Sequence, residues 1–147
     1  MKKIVITGAL GYIGTELCKL YSGFSWKYEV VAIDNRFISE RVNELKRRKI
    51  KFVQADILNL NEIKNYIYEA DTVHHLAGIT DVAYVKKDSN SDQDEKIKKV
   101  AVEGTENVLN SMNDKATIVF PSTHVVFEGL KKPKKNVDEN EETSTFL

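Results

Sequence analysis

Cysteine is nearly absent from this 147-residue chain, in which Cys18 carries the one thiol. A single cysteine excludes an internal disulfide and a cysteine-based zinc site, and no metal site is expected. Because Cys18 falls beside Leu17 on the first predicted helix, we interpret it as a small buried side chain rather than a nucleophile. The lack of disulfides favours a cytoplasmic protein.

Long hydrophobic runs and an excess of one charge are also missing. No stretch approaches the roughly 18 apolar residues that span a membrane, and the apolar run at the N-terminus is too short for a secretory signal. The 22 basic and 22 acidic residues cancel, so neither a nucleic acid nor a membrane is expected as a partner. The length and the 41% apolar content instead predict one soluble globular domain over residues 1–147.

Three glycines at three-residue steps follow the first apolar run. Residues 4–6 are β-branched, as is typical of a strand buried on both faces, and Gly8, Gly11 and Gly14 precede a helical pattern. A β-carbon would crowd the turn at Gly8, hold the backbone away from a pyrophosphate at Gly11, and push the helix off the strand at Gly14. The unpaired N–H groups at the helix start favour an anion. We interpret the stretch as a dinucleotide-binding turn; the alternative is an ordinary strand-to-helix turn.

Strands and helices alternate along the rest of the chain. Further strands are predicted at 29–33, 50–55, 72–76 and 117–120, and helices at 12–21, 39–48, 59–68 and 94–112. This alternation predicts an α/β protein with a Rossmann-like, doubly wound parallel sheet, strand order 3-2-1-4-5 and helices on both faces. Ser39 is the expected N-cap of the second helix, and residues 80–92 are interpreted as a polar surface excursion. The last helix is expected to pack through Ile97, Val100, Ala101, Gly104, Val108 and Leu109.

Each predicted strand is followed by a residue suited to binding or catalysis. These residues are Gly8, Asp34, Asp56, Gly78 and either Ser122 or Thr123. Ligands bind outside the carboxyl ends of parallel strands at the switch point, here between the first and fourth strands, so the five ends are expected to meet at one crevice. Asp34 follows Gly14 by about 20 residues, where a ribose-binding carboxylate is expected. His74 and His75 alternate along a strand and therefore face opposite sides.

Six motifs in this order resemble the N-terminal, NAD-binding part of the extended short-chain dehydrogenase/reductase family, particularly its nucleotide-sugar epimerases and dehydratases. They are TGALGYIG at 7–14, AIDN at 32–35, QADI at 54–57, HLAG at 75–78, VEGTENVL at 102–109 and PSTHVVFEG at 121–129. The resemblance covers nearly the whole chain. It implies a parent protein that carries out NAD-dependent oxidoreduction of a nucleotide-linked sugar, as an epimerase or dehydratase, with a homodimer possible.

The resemblance assigns contacts with the cofactor position by position. The cofactor-binding set runs from the pyrophosphate turn through the adenosine end to the nicotinamide ribose. Its members are Gly8, Leu10, Gly11, Tyr12, Ile13 and Gly14 at the turn, Asp34 and Asn35 at the adenine ribose, Asp56 and Ile57 at the adenine, and Leu76, Ala77, Gly78 and Thr80 at the nicotinamide ribose. Thr123 falls where the family carries its catalytic Ser or Thr.

Two residues at the second strand bear on the choice of cofactor. The carboxylate of Asp34 repels a 2′-phosphate, so NAD is favoured over NADP. Arg36 opposes this preference, because its guanidinium could pair with that phosphate. The alternative for Arg36 is a solvated loop arginine. For Asp56, the alternative to an adenine contact is a turn or N-cap aspartate.

Two departures from the family pattern concern catalysis. Ala101 stands where the family usually has Asn, and the proton-transferring Tyr-x-x-x-Lys pair would fall past Leu147. We therefore expect the chain to be a fragment that supplies the dinucleotide-binding domain, lacks the substrate-binding lobe and is inactive alone. The alternative is a non-catalytic NAD(H)-binding module that acts as a redox sensor or scaffold.

Overall fold

The computed structural model describes residues 1–79, 91–122 and 140. Helices and strands alternate along the described chain. In order they are β1 (Lys2–Thr7), α1 (Tyr12–Ser22), β2 (Tyr28–Asp34), α2 (Ser39–Arg47), β3 (Lys51–Gln54), α3 (Leu60–Tyr68), β4 (Thr72–His75), α4 (Ser91–Lys99), a π-helical turn (Val100–Gly104), α5 (Thr105–Ser111) and β5 (Thr117–Val119). No helix in this part of the chain is long and apolar enough to cross a membrane.

The strands form one parallel sheet in the order β3-β2-β1-β4-β5, which confirms the predicted order. β1 pairs with β2 on one side and with β4 on the other, so that Ile4 lies opposite both Val30 and Thr72. Because all four pairings are parallel, the carboxyl ends of the strands share one edge. The switch point of the sheet lies between β1 and β4.

Alternating residues of the central strands fill two apolar cores, one on each face of the sheet. Ile4, Ile6, Val30 and Ala32 pack with residues of α1 and α2, while Val5, Val31, Ile33 and Val73 pack with residues of α3 and α5. This division confirms the doubly wound arrangement. Cys18 lies in the first core, where burial raises the pKa of its thiol to about 12. The thiol therefore stays protonated, as expected of a structural cysteine.

The last helical segment differs from its prediction. A π-helical turn over Val100–Gly104 separates α4 from α5, and its wider spacing shifts the phase of the helical faces. Gly104 and Val108 are buried as predicted, but Ala101 is exposed and Leu109 is 48% exposed. The prediction for these two residues was wrong: Ala101 lies within the π-helical turn, whose period differs from that of an α-helix, and Leu109, one residue after the buried Val108, lies outside the packed face of α5.

Smaller differences concern element ends. Ser39 is the first residue of α2 and Ile38 is its N-cap, without a side-chain hydrogen bond, so the predicted serine cap is wrong. Other ends agree within about two residues, the usual uncertainty of such boundaries, except that α4 begins at Ser91, three residues before the predicted start. Residues 91 and 92 of the predicted excursion lie in α4. The rest of that excursion, with Thr80, and Thr123 lie outside the described residues.

Replacement of Gly14 by alanine is expected to lower the free energy of unfolding by about 1–3 kcal/mol. An added β-carbon would lie 2.5 Å from the carbonyl oxygen of Gly8 and 2.7 Å from the Cα of Ala9. Both are backbone atoms of the turn, so the start of α1 would have to move. Urea unfolding measures the change.

Gly78→Ala is the matched control, because its β-carbon would meet no atom of the described residues within 4 Å. We expect that variant to unfold within about 0.5 kcal/mol of the parent chain. Equal stability of the two variants would contradict the close approach of α1 to the turn.

Candidate functional site

The turn between β1 and α1 is held between the ends of β2 and β4. Gly8 has a φ of +67°, and a β-carbon on it would lie 2.7 Å from the carbonyl carbon and oxygen of Leu76. The N–H of Ala9 donates to the carbonyl of Ile33 at 3.0 Å, and the N–H of Gly11 donates back to Gly8 at 2.9 Å. Only glycine satisfies both the positive φ and the close approach at position 8.

Helix α1 begins immediately after this turn without a capping side chain. Gly11 is the N-cap, and the first turn of the helix contains no acidic residue. No described residue accepts a hydrogen bond from the N–H groups of Tyr12 and Ile13, which leaves the positive end of the helix dipole open. Of the residues that the structure describes, a β-carbon on Gly11 would meet only Gly8, at 3.1 Å from its carbonyl oxygen. These residues fit a bound diphosphate.

Asp34, at the end of β2, contacts the same turn. Its side chain is 3% exposed. Oδ2 accepts from the N–H of Leu10 at 2.9 Å and from Nη2 of Arg36 at 3.1 Å. Oδ1 accepts from the backbone N–H and from Nε of Arg36, both at 3.0 Å. Arg36 is therefore the ion-pair partner of Asp34, and its side chain is still 55% exposed.

The ion pair keeps Asp34 charged despite its burial. Burial alone would raise the pKa of the carboxyl. The hydrogen bonds from Arg36 and Leu10, together with the charge of Arg36, outweigh that effect and hold the pKa below its ordinary value. At neutral pH the end of β2 therefore carries a carboxylate that is already paired with a guanidinium.

The ends of β2 and β3 meet through Asn35 and Asp56. Nδ2 of Asn35 donates to Oδ2 of Asp56 at 3.3 Å, while Oδ1 of Asp56 accepts from the N–H of Leu58 at 2.9 Å. The bond from the N–H of Leu58 is typical of an aspartate in a turn. The bond from Asn35 shows that Asp56 also contacts the end of β2. Ile57 is buried, and its carbonyl accepts from Nδ2 of Asn107 on α5 at 3.0 Å.

A buried histidine connects the ends of β1 and β4 to the π-helical turn. Nδ1 of His75 lies 2.8 Å from Oγ1 of Thr7, and Nε2 lies 3.0 Å from Oγ1 of Thr105. The Thr105 hydroxyl donates to the carbonyl of Ala101 at 2.6 Å, so it accepts from Nε2–H of His75. Nδ1 consequently accepts from Thr7, whose oxygen also accepts from the N–H of Ala77 at 3.3 Å. The network defines a neutral His75.

His74 lies on the opposite face of the sheet, as its position predicts. Its Nε2 is 2.7 Å from the hydroxyl oxygen of Tyr21 on α1. Burial lowers the pKa of both His74 and His75. Neither histidine is placed to share a ligand with the other.

One contact with the turn has no counterpart in the sequence pattern. Nη1 of Arg41, in the first turn of α2, donates to the carbonyl of Leu10. Leu10 therefore contacts the anionic Asp34 through its N–H and the cationic Arg41 through its carbonyl. The two residues are 31 positions apart, and nothing in the local pattern joins them.

The parallel doubly wound sheet, with its glycine turn at the switch point, defines a Rossmann-like domain. Residues 5–146 match the model of the 3-beta hydroxysteroid dehydrogenase/isomerase family. The chain belongs to this family, which confirms the predicted membership of the extended short-chain dehydrogenases/reductases.

Two curated relatives match parts of the chain. Uncharacterized protein 052L of Frog virus 3 is 33% identical over 110 residues, which cover 74% of this chain and 29% of the relative. UDP-glucose 4-epimerase of Bacillus subtilis is 34% identical over 85 residues, which cover 52% of this chain and 24% of the relative. The chain thus spans less than a third of the length of either relative.

Solved structures match the fold over almost the whole chain. L-threonine dehydrogenase from Clostridium difficile gives a TM-score of 0.76 at 26% identity. The match covers 99% of this chain and 44% of the dehydrogenase chain. UDP-glucose-4-epimerase from Stenotrophomonas maltophila, solved with bound NAD and formylated UDP-arabinopyranose, gives 0.75 at 23% identity, with 98% and 43% covered. These likenesses confirm the fold.

Acidification is expected to lower the free energy of unfolding. Burial lowers the pKa of His74 and His75 from the ordinary value of 6.5. Below pH 6.5 the histidines of the unfolded chain bind protons, whereas those of the folded chain stay neutral. The folded state is therefore less stable as the pH falls below 6.5. The loss is at most about 1.4 kcal/mol per pH unit for each histidine.

Urea unfolding between about pH 7.5 and 5.5, above the range in which ordinary carboxyls titrate, measures this slope. His74→Gln and His75→Gln each remove one titrating ring and are expected to reduce it. A pH-independent stability of the parent chain over this range would contradict the neutral, buried state of both rings.

Proposed function

We propose that this chain binds NAD across the carboxyl edge of its sheet, with the pyrophosphate at the start of α1. The observation that supports this most directly is the uncapped helix start beside Gly11 at the switch point. Backbone N–H groups of Tyr12 and Ile13 bind the diphosphate, and the helix dipole stabilises its charge. Leu10 positions the turn through its bonds with Asp34 and Arg41.

The two ends of the dinucleotide extend along the edge in opposite directions. The adenosine end lies toward β2 and β3, where Asp34, Asn35, Asp56 and Ile57 follow or end the two strands and Asn35 donates to Asp56. The nicotinamide end lies toward β4. Leu76, Ala77 and Gly78 follow that strand, and in the described part of the chain a β-carbon on Gly78 would meet no atom within 4 Å, which leaves room there for a ligand.

For a longer protein that contains these residues, we propose NAD-dependent oxidoreduction of a nucleotide-linked sugar, as an epimerase or dehydratase. Bound NAD supplies the hydride acceptor, and the domain described here binds and orients it. The UDP-glucose 4-epimerase relative of Bacillus subtilis supports this substrate class. Thr123 is proposed to hydrogen-bond the reacting hydroxyl of the sugar, and Thr80 to contact the nicotinamide ribose, both by family resemblance.

A second candidate is a non-catalytic NAD(H)-binding module that acts as a redox sensor or scaffold. The observation that favours it is Ala101, whose methyl group cannot replace the amide usual in the family. Incubation of the full-length protein with NAD and UDP-glucose discriminates the two. Formation of reduced nicotinamide, or of an epimerised or dehydrated sugar, supports the enzyme. NAD binding without either product supports the module.

Replacement of Gly11 by valine is expected to weaken NAD binding at least tenfold, or about 1.4 kcal/mol. The branched side chain would fill the space in front of the helix start and hold the pyrophosphate away from the N–H groups. Gly11 has φ −74° and ψ 176°, an extended conformation that valine adopts, so the fold is expected to persist. Isothermal titration calorimetry with NAD measures the affinity.

Gly23→Ala is the matched control at the other end of the same helix. Its φ of −66° suits alanine, and the nearest atom to the new β-carbon is the carbonyl oxygen of Leu20 at 3.3 Å. That variant is expected to bind NAD like the parent chain. Undiminished affinity in Gly11→Val would overturn the placement of the pyrophosphate.

A further inference from the structure

We propose that Arg36 adapts the ribose end of this site to a 2′-phosphate, so that the chain binds NADP no more weakly than NAD. The inference rests on the proposed dinucleotide site and names the group that selects its ligand. It reverses the preference expected from Asp34 alone. The reason is that the carboxylate is not presented to the ligand as a free acceptor.

The acceptor capacity of Asp34 is already used within the protein. A carboxylate offers about four lone-pair positions, and Asp34 accepts four hydrogen bonds, three from Arg36 and one from Leu10. A ribose hydroxyl that bonds this carboxylate in the usual way must first displace the guanidinium. Binding of NAD therefore carries the cost of opening an ion pair.

At the end of β2 the guanidinium of Arg36, and not the carboxylate of Asp34, is exposed to solvent. The Arg36 side chain is 55% exposed, whereas that of Asp34 is 3% exposed. A guanidinium carries five N–H groups, and Arg36 uses two of them, on Nε and Nη2, to hold Asp34. The other three have no partner among the described residues. A phosphate can accept from them in the bidentate geometry that arginine favours, without breaking the existing pair.

The charge balance of this corner also favours an anion. The charge of Arg36 cancels that of Asp34, and Arg41 adds a second cation at the carbonyl of Leu10, the residue whose N–H bonds Asp34. Repulsion of a 2′-phosphate by the carboxylate is thereby offset. Arg36 accordingly acts as the residue that determines specificity at the ribose.

Calorimetric titration of the whole chain with NAD and with NADP tests the proposal through the ratio of the two dissociation constants. For the parent chain we expect NADP to bind at least as tightly as NAD. Arg36→Ala uncovers the carboxylate and is expected to shift the ratio at least tenfold toward NAD. Arg47→Ala is the matched control, because Arg47 is an exposed arginine paired with Glu44 in the last turn of α2, and it is expected to leave the ratio unchanged.

Arg36→Lys provides a second variant, since Arg36→Ala leaves a buried carboxylate without its cation and can lose stability. The lysine keeps the charge but not the paired N–H groups, so a smaller shift toward NAD is expected. If the parent chain binds NAD more tightly than NADP, or if the ratio is unchanged in both variants, the role of Arg36 is overturned and the dinucleotide site still stands. Failure of both dinucleotides to bind the parent chain overturns the site itself.

Discussion

The close approach of the turn at Gly8 to the end of β4 is the constraint on which the edge of the sheet depends. A β-carbon at this position would overlap backbone atoms of Leu76 and Ala77. Without one, β1 can end directly beside β4, which lets Thr7 reach His75. The same turn places Leu10 against Asp34 on the other side. One residue without a side chain thus allows the ends of three strands to share hydrogen bonds.

Most of the fold could be predicted from the sequence because its determinants are local. Short strands of three to seven residues that alternate with helices specify a parallel sheet, and the short connections restrict the order of the strands. The confirmed order β3-β2-β1-β4-β5 then brings Gly8, Asp34, Asp56 and Gly78 to one edge. The prediction failed in the segment before β5, where Ala101 lies in a π-helical turn and Leu109 lies outside the packed face of α5.

The site was less predictable, because its decisive contacts depend on side-chain conformation and on residues distant in sequence. An arginine two positions after Asp34 is compatible with solvation, with a bound phosphate or with an ion pair, and only the geometry shows that the ion pair forms. Arg41 reaches Leu10 across 31 residues. The network through His75 joins residues 7, 75 and 105, whose patterns indicate only a buried strand and a helix.

The hydrogen bonds of His75 also show which part of residue 101 the fold uses. The hydrogen-bond chain from Thr7 through His75 and Thr105 ends on the carbonyl of Ala101, which every residue type possesses. The side chain at 101 is exposed and takes no part in it. Packing therefore places no demand on the identity of this residue. Alanine in place of the asparagine usual in the family therefore leaves this hydrogen-bond network unchanged. It changes the exposed surface that a bound molecule would contact.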